Sequence, residues 1–354
     1  MRNMLVTGGA GFIGSNFILE ALKDQGKYNI INLDILSYAG NLENLTSVEE
    51  HPDYHFEKGD VCDKETITAL LQKYNIEKVV HFAAESHVDR SIETPEIFLK
   101  TNVLGTFTLL ECARQYWSQL PEGYQNKTFL HVSTDEVYGS LGEIGLFTEE
   151  TSYKPNSPYS ASKAASDHLA RSYVHTYGFP VLVTNCSNNY GPFQFPEKLI
   201  PLLINNILNN KPLPVYGEGK NIRDWLYVRD HCRAILCVLE NGNIGEQYNI
   251  GGHNEWTNID IVRLICKYMD EQLKLPESKS SSNLITYVKD RPGHDLRYAI
   301  DATKIKRELG WVPSETFETG IQKTINWYLE NKEWLSHTTN GSYQNYYKEM
   351  YGNR

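Results

Sequence analysis

Two short stretches carry most of the chemistry in this chain. Ser133-Thr134-Asp135-Glu136-Val137-Tyr138 sets a hydroxyl beside two successive carboxyl groups. Tyr159-Ser160-Ala161-Ser162-Lys163 sets a phenol four positions before an ammonium group. On a helix, residues at that spacing share one face. A free phenol ionises near pH ~10, too high for a base at neutrality. A nearby ammonium favours the phenolate and lowers that value. Tyr159 could then take a proton from a substrate hydroxyl, with Thr134 holding the same group. Each stretch also has a plainer reading. Tyr-x-x-x-Lys occurs on exposed helices, and Asp135-Glu136 could be a solvated acidic pair at a helix start. Taken together they offer two proton-transfer systems to one substrate, where a plain alcohol oxidation needs one.

The surrounding pattern bears on that choice. Gly8-Gly9-Ala10-Gly11-Phe12-Ile13-Gly14 follows the short apolar run Met4–Val6 and precedes Phe12, Ile13, Phe17, Ile18, Ala21 and Leu22 at helical spacing. Ile30–Leu33 reads as the next strand and ends on Asp34. Glycines between strand and helix let a pyrophosphate approach the helix N-terminus. Asp34 would accept hydrogen bonds from ribose hydroxyls and repel a 2′-phosphate, which favours NAD over NADP. Asp60 and Val61 would meet the adenine edge. Ala83, Ala84 and Ser86 follow the strand Lys78–Phe82, where the nicotinamide half should lie. Further strands are read at Phe129–Val132, Val181–Val183 and around Tyr248–Ile250. Strands alternating with helices predict an α/β chain: a Rossmann-like, doubly wound parallel sheet.

After about Asn185 the prolines Pro192, Pro196, Pro201, Pro212 and Pro214 break the alternation. Residues 1–187 are expected to form the NAD-binding domain. Residues 188–354 should mainly form a smaller mixed α/β substrate lobe and tail, with a return to the first domain around 224–250. A helix is expected over Ile259–Leu273, an exposed polar loop over Pro276–Asn283, and a terminal surface helix after Trp334.

The chain has 354 residues and a formal charge of −10, which argues against a general nucleic-acid surface. No apolar run is long enough for a bilayer, and no signal-peptide pattern precedes Met4. The six cysteines form no Cys-x-x-Cys pair. Reduced thiols in a cytoplasmic protein, without a metal, are expected.

On Ala83–Ser91, Ser133–Gly139, Tyr159–Lys163, Asn185–Pro192, Arg223-Asp224-Trp225 and Arg291–Asp295, the chain resembles the extended short-chain dehydrogenase/reductase family over at least residues 3 to 312. The resemblance implies a dehydration of dTDP-glucose on the route to dTDP-rhamnose or another deoxysugar. C4 is oxidised, ionised Glu136 removes the C5 proton, protonated Asp135 donates to the departing C6 hydroxyl, and hydride returns to C6. Two neighbouring carboxyls must then hold different protonation states. The resemblance also adds Thr101 and Asn189 to the cofactor set, and Lys163 to the nicotinamide ribose. Around the substrate it places Ser86, Thr134, Asn188, Glu197, Lys198, Leu199, Pro214, Tyr216, Arg223, Asn258, Asp290, Arg291 and His294. It implies a homodimer using the helices spanning Thr101–Trp117 and Tyr159–Tyr177. His87 is read either as a second proton shuttle or as a structural histidine.

Other readings remain at this point. A 4-epimerase needs the Thr, Tyr and Lys but no adjacent acid pair. A GDP-mannose dehydratase would share the elimination but usually prefers NADP, which Asp34 disfavours. A non-catalytic NAD sensor would have no need of an intact Tyr159 and Lys163.

Overall fold

The computed structural model describes residues 1–290, 294–340 and 343. Its first half alternates β1 (Arg2–Thr7), α1 (Phe12–Ala21), β2 (Tyr28–Asp34), β3 (Tyr54–Lys58), α2 (Lys64–Lys73) and β4 (Lys78–His81). Short helices α3 (Val88–Glu93) and α4 (Pro95–Phe98) lead through a π-helical turn (Leu99–Gly105) into α5 (Thr106–Ser118). Then come β5 (Thr128–Thr134), α6 (Pro158–Tyr177), β6 (Val181–Cys186) and β7 (Asn188–Tyr190). The second half holds α7 (Leu199–Leu208), β8 (Leu213–Tyr216), β9 (Ile222–Tyr227), α8 (Val228–Asn241), β10 (Gln247–Ile250), β11 (Glu255–Thr257) and α9 (Asn258–Leu273). It closes with β12 (Ile285–Val288), β13 (Arg297–Tyr298), α10 (Thr303–Leu309), α11 (Phe317–Glu330) and α12 (Lys332–Thr338).

Seven strands pair in the order β10-β6-β5-β4-β1-β2-β3, every neighbour parallel. This is the doubly wound, Rossmann-like α/β fold. The strands are apolar on both faces because helices cover both. Met4 and Val6 point to the side packed by Phe17 and Ile18 of α1 and Ile235 and Val238 of α8. Leu5, between them, points to the side packed by Leu70 of α2, Leu109 and Trp117 of α5 and Ala170 of α6. That switch at every residue is the strand's own period of two. Strand order reverses between β4 and β1, the place where such sheets bind ligands.

Beyond β6 the chain builds a second apolar core from Ile200, Leu203, Ile204, Ile261, Ile265, Met269, Phe317 and Ile321. Around it, β9 pairs antiparallel with β11 and parallel with β13 and β7, while β8 pairs with β12. Residues 228–250 contribute α8 and β10 to the large layer. One detail departs from the sequence reading. The 276–283 stretch contains two 3-10 turns, and Ser281 is buried, its hydroxyl donating to Asp270 2.5 Å away. After Trp334, Leu335 of α12 packs into the second core while Ser336 and His337 are exposed, and most of the stretch beyond Asn340 lies outside the described residues. Among the described residues no helix is long and apolar enough to cross a membrane.

Candidate active site

A cleft of about 410 Å³ opens at the carboxyl ends of β1, β2, β4, β5 and β6. The glycine turn forms its floor. Gly8 has φ +72°, and a Cβ there would stand 2.6 Å from the Ala83 nitrogen. A Cβ on Gly14 would stand 2.3 Å from the Gly8 carbonyl oxygen. These two glycines let the turn close. At Gly11 a side chain would meet only the Gly8 carbonyl, at 3.3 Å, and would otherwise fill the cleft. Gly11 caps α1 with no side-chain bond, and the first turn carries no acid. The opening N–H groups of α1 therefore face the cleft with their partial positive charge unopposed. Asp34 accepts from the backbone N–H of Ala10 at 2.9 Å and of Leu36 at 2.8 Å. Those bonds aim its carboxylate across the cleft and leave lone pairs for a ribose diol. The residues present fit a dinucleotide carrying no 2′-phosphate.

Phe12, Ile13, Asp60, Val61, Ala83, Ala84, Ser86, Thr101 and Asn189 line the same cleft. Thr101 reaches it from the π-helical turn, a distortion common at functional sites. Asn102, on that turn, accepts from the Glu85 N–H at 2.8 Å and donates to the Glu85 carbonyl at 3.0 Å and to Ser162 at 2.9 Å. It thereby ties the loop after β4 to α6.

The acid pair follows directly from β5. Thr134 accepts from the Glu136 N–H at 3.3 Å and so caps a 3-10 turn over Asp135–Tyr138. The cap turns Asp135 inward, where it is 1 % exposed, and leaves Glu136 half-buried at the cleft. Burial first, then the charges of Glu136 and Asp224, hold the Asp135 carboxyl well above its ordinary range. Its Oδ1 lies 3.3 Å from the Thr134 hydroxyl, and its Oδ2 meets no partner among the described residues. A protonated Asp135 thus has a donor to spare, beside a carboxylate that repels a second charge. That is the split in protonation states an elimination needs.

Tyr159 and Lys163 sit in the first two turns of α6. Ser157 and Ser160 form a reciprocal cap there, Pro158 occupies the first helical position, and Gly178 ends the helix with φ 61°. The Tyr159 phenol faces the Thr134 hydroxyl. Lys163 donates to the Val132 carbonyl at 2.8 Å, and burial, followed by the Glu136 charge, pushes the phenol well above its ordinary value. The side chain of Lys163 lies along the end of β5 and lines the cleft beside Tyr159.

The substrate residues divide. Ser86, Thr134, Asn188, Glu197 and Lys198 line the cleft; Leu199, Pro214, Tyr216, Arg223, Asn258, Asp290 and His294 do not. Glu197 is held on both oxygens, by Tyr38 at 2.9 Å and by Arg90 at 3.1 Å, and Lys198 donates to the Ser86 carbonyl at 2.9 Å. A second group gathers beside residues 294–298. Arg223 stacks 4.2 Å over Tyr298 and donates to the Ile222 and Asp295 carbonyls at 2.7 and 2.9 Å. Asn258 donates its N–H to the Asn221 carbonyl at 3.0 Å. His294 lies 2.6 Å from Asp290 and edge-on to Tyr216. Arg223 still belongs to the catalytic neighbourhood, because its charge partly offsets the rise at Asp135. Arg291 lies outside the described residues. His87 is buried at the head of α3 and does not line the cleft. No cluster of metal-ligating side chains occurs among the described residues.

Sequence reading missed Ser37, Ala39, Gly40, Lys100, Gln194 and Phe195, which also line the cleft. All lie in loops or the π-turn, and a position shortly after a strand's carboxyl end was the one signal available. Asn102 and Tyr38 carried no signal at all.

Comparison with known proteins agrees with this geometry. A family model described as GDP-mannose 4,6 dehydratase matches residues 5–324. A dTDP-glucose 4,6-dehydratase of Xanthomonas campestris pv. campestris is 58 % identical over 345 residues, covering 97 % of this chain and 98 % of its own. The crystal structure of the dTDP-glucose 4,6-dehydratase of Bacillus anthracis, in complex with NAD, has TM-score 0.85 and 49 % identity over 96 % of this chain and 100 % of its own. That of DesIV, the Streptomyces venezuelae dTDP-glucose 4,6-dehydratase with NAD and TYD bound, has TM-score 0.86 and 45 % identity over 94 % and 98 %. The family model's wording matches one of the alternatives weighed above, but the near full-length relatives carry the other substrate in their names. The chain therefore belongs to the dTDP-glucose 4,6-dehydratases, within the extended short-chain dehydrogenase/reductase family.

Proposed function

We propose that this protein removes water from dTDP-glucose to give dTDP-4-dehydro-6-deoxy-glucose. The observation that carries this reading is a buried Asp135, its Oδ2 unpartnered among the described residues and its carboxyl held well above the ordinary range, next to Glu136 in the cleft that also holds the glycine turn. When bound, NAD takes a hydride from the sugar's C4 and gives it back at C6, so it is used catalytically. Thr134 orients the C4 hydroxyl, and Tyr159 takes its proton. The resulting ketone acidifies the C5 hydrogen, which Glu136 removes. Asp135 donates from Oδ2 to the C6 hydroxyl, and water departs. Glu136 or a water then returns a proton to C5. An epimerase has no use for this acid pair, and a sensor has no use for any of these groups.

Running the reaction in heavy water tests the proton route. The product is expected to carry one deuterium at C5, read by proton NMR. A galactose isomer formed without water loss would make the enzyme an epimerase.

The chain is further proposed to work as a homodimer. Leu99, Leu104 and Phe107, on the continuous turn-and-helix segment ending α5, and Tyr177 at the end of α6, are each more than two-fifths exposed. Large apolar side chains grouped in this way mark association surfaces. Sedimentation velocity should give a dimer for the natural chain and a monomer for Phe107→Glu. A monomeric natural chain would refute the arrangement.

A further inference from the structure

Lys163 is 4 % exposed, and its ammonium donates to a neutral carbonyl, that of Val132. An ammonium buried in this way sheds its proton unless an opposite charge stands close. Asp167 lies four residues on, one helical turn along the same face of α6, and is itself 3 % exposed. It binds His131 and Ser133 on either side of the Val132 carbonyl that Lys163 holds, and among the described residues it makes no direct ion pair with Lys163. Burial lowers the Lys163 ammonium's pKa, and the Asp167 charge opposes that fall. The Asp167 carboxylate gathers donors from three other segments. His131 Nε2 of β5 stands 3.1 Å from Oδ1. Oδ2 accepts from Ser133 at 2.8 Å, Tyr153 at 2.9 Å and Asn185 at 3.2 Å. Bonds to the ionised form outweigh its burial and keep Asp167 below its ordinary range.

The buried histidines, thiol and phenols packed against the pair are held in their neutral forms, and Glu136 lies across the cleft beside Tyr159. Burial pushes His131 and His81 down, so both are neutral at working pH. Burial raises the Cys186 thiol of β6 to about 12 and raises the phenols of Tyr138 and Tyr153. Asp167 is absent from the cleft lining, so it acts on substrate only through its neighbour.

We propose that Asp167 is a positioning residue of this enzyme: its carboxylate, fixed by four donors, keeps Lys163 an ammonium at the cleft. This rests on the reading of Lys163 as part of the hydride-transfer machinery. The test follows NADH formation in a single turnover across pH, using the NAD-loaded natural enzyme, Asp167→Asn, Lys163→Met and the double variant. Without the carboxylate, Lys163 loses its proton at lower pH. The alkaline limb of the Asp167→Asn profile should therefore fall by roughly one to three pH units. The double variant should be no slower than Lys163→Met alone, because the carboxylate then has no ammonium to hold. A merely structural role would lower thermal stability but leave the limb in place and slow both backgrounds equally. Either of those kinetic results overturns the inference. Lys163→Met with an unchanged rate would instead overturn the role of Lys163. Should Asp167→Asn fail to fold, lysine 13Cε NMR of the natural enzyme decides, with the Lys163 signal assigned by its loss in Lys163→Met. That signal should be at the ammonium position in the natural enzyme at pH ~7. A neutral amine at pH ~7 would refute the proposal.

Discussion

Replacing Tyr159 by Phe is expected to abolish nearly all cofactor reduction by dTDP-glucose, lowering the single-turnover rate by about 10²- to 10⁴-fold. The change removes one oxygen. It leaves the ring's edge-on contact with Phe98, whose centroid is 6.3 Å away, so the fold should be kept. The loss falls on the first chemical step because no other base faces the C4 hydroxyl beside Thr134 in this reading. The phenol's pKa is raised in the protein alone. As pH falls, less phenolate forms, so the natural enzyme should slow towards acid. The Phe variant, having nothing there to ionise, should show no such limb. Absorbance of the reduced nicotinamide, followed after rapid mixing at several pH values, checks both statements. A variant that reduces the cofactor at the natural rate would show that the proton leaves by another route.

Glu136→Gln should act one step later. C4 oxidation needs no base at C5, so cofactor reduction should proceed within about threefold of the natural rate. Water loss should fall by about 10²- to 10⁴-fold, the usual worth of a positioned base. NADH should then accumulate on the enzyme, where the natural enzyme shows it only transiently. The variant also removes a charge that helps keep Asp135 protonated, yet burial is the larger cause and persists. The acid therefore stays in place, and the loss reports the base. Rapid quenching with mass analysis of the sugar separates oxidation from elimination. Water release at the natural rate would mean that Glu136 is not the base.

Much of this site could be read from the sequence because its parts are local. Gly8, Gly11 and Gly14 lie within seven residues and do their work through the backbone. Asp34 ends the strand that follows. Thr134-Asp135-Glu136 form one turn, and Tyr159 and Lys163 one helix face. The parallel sheet was legible for the same reason: its strands are short apolar runs whose neighbours both face helices. The second lobe was less legible. Its strands have two to six residues and draw partners from distant segments, as β9 does from β7, β11 and β13. Tyr216, Arg223, Asn258 and His294 fall in those segments. They assemble around residues 294–298 and not on the main cleft, which no spacing along the chain encodes.

The pattern of residue types alone determined the α/β layering, the preference for NAD over its phosphorylated form, and the presence of one hydroxyl, two carboxyls, one phenol and one ammonium for chemistry. Protonation was decided only by the folded chain. A pKa depends on what replaces water around a group, and that shell is drawn from β4, β5, β6, α6 and β9 together. Hence burial beside Glu136 and Asp224 raises the Asp135 carboxyl, and Lys163 is drawn to the Val132 carbonyl.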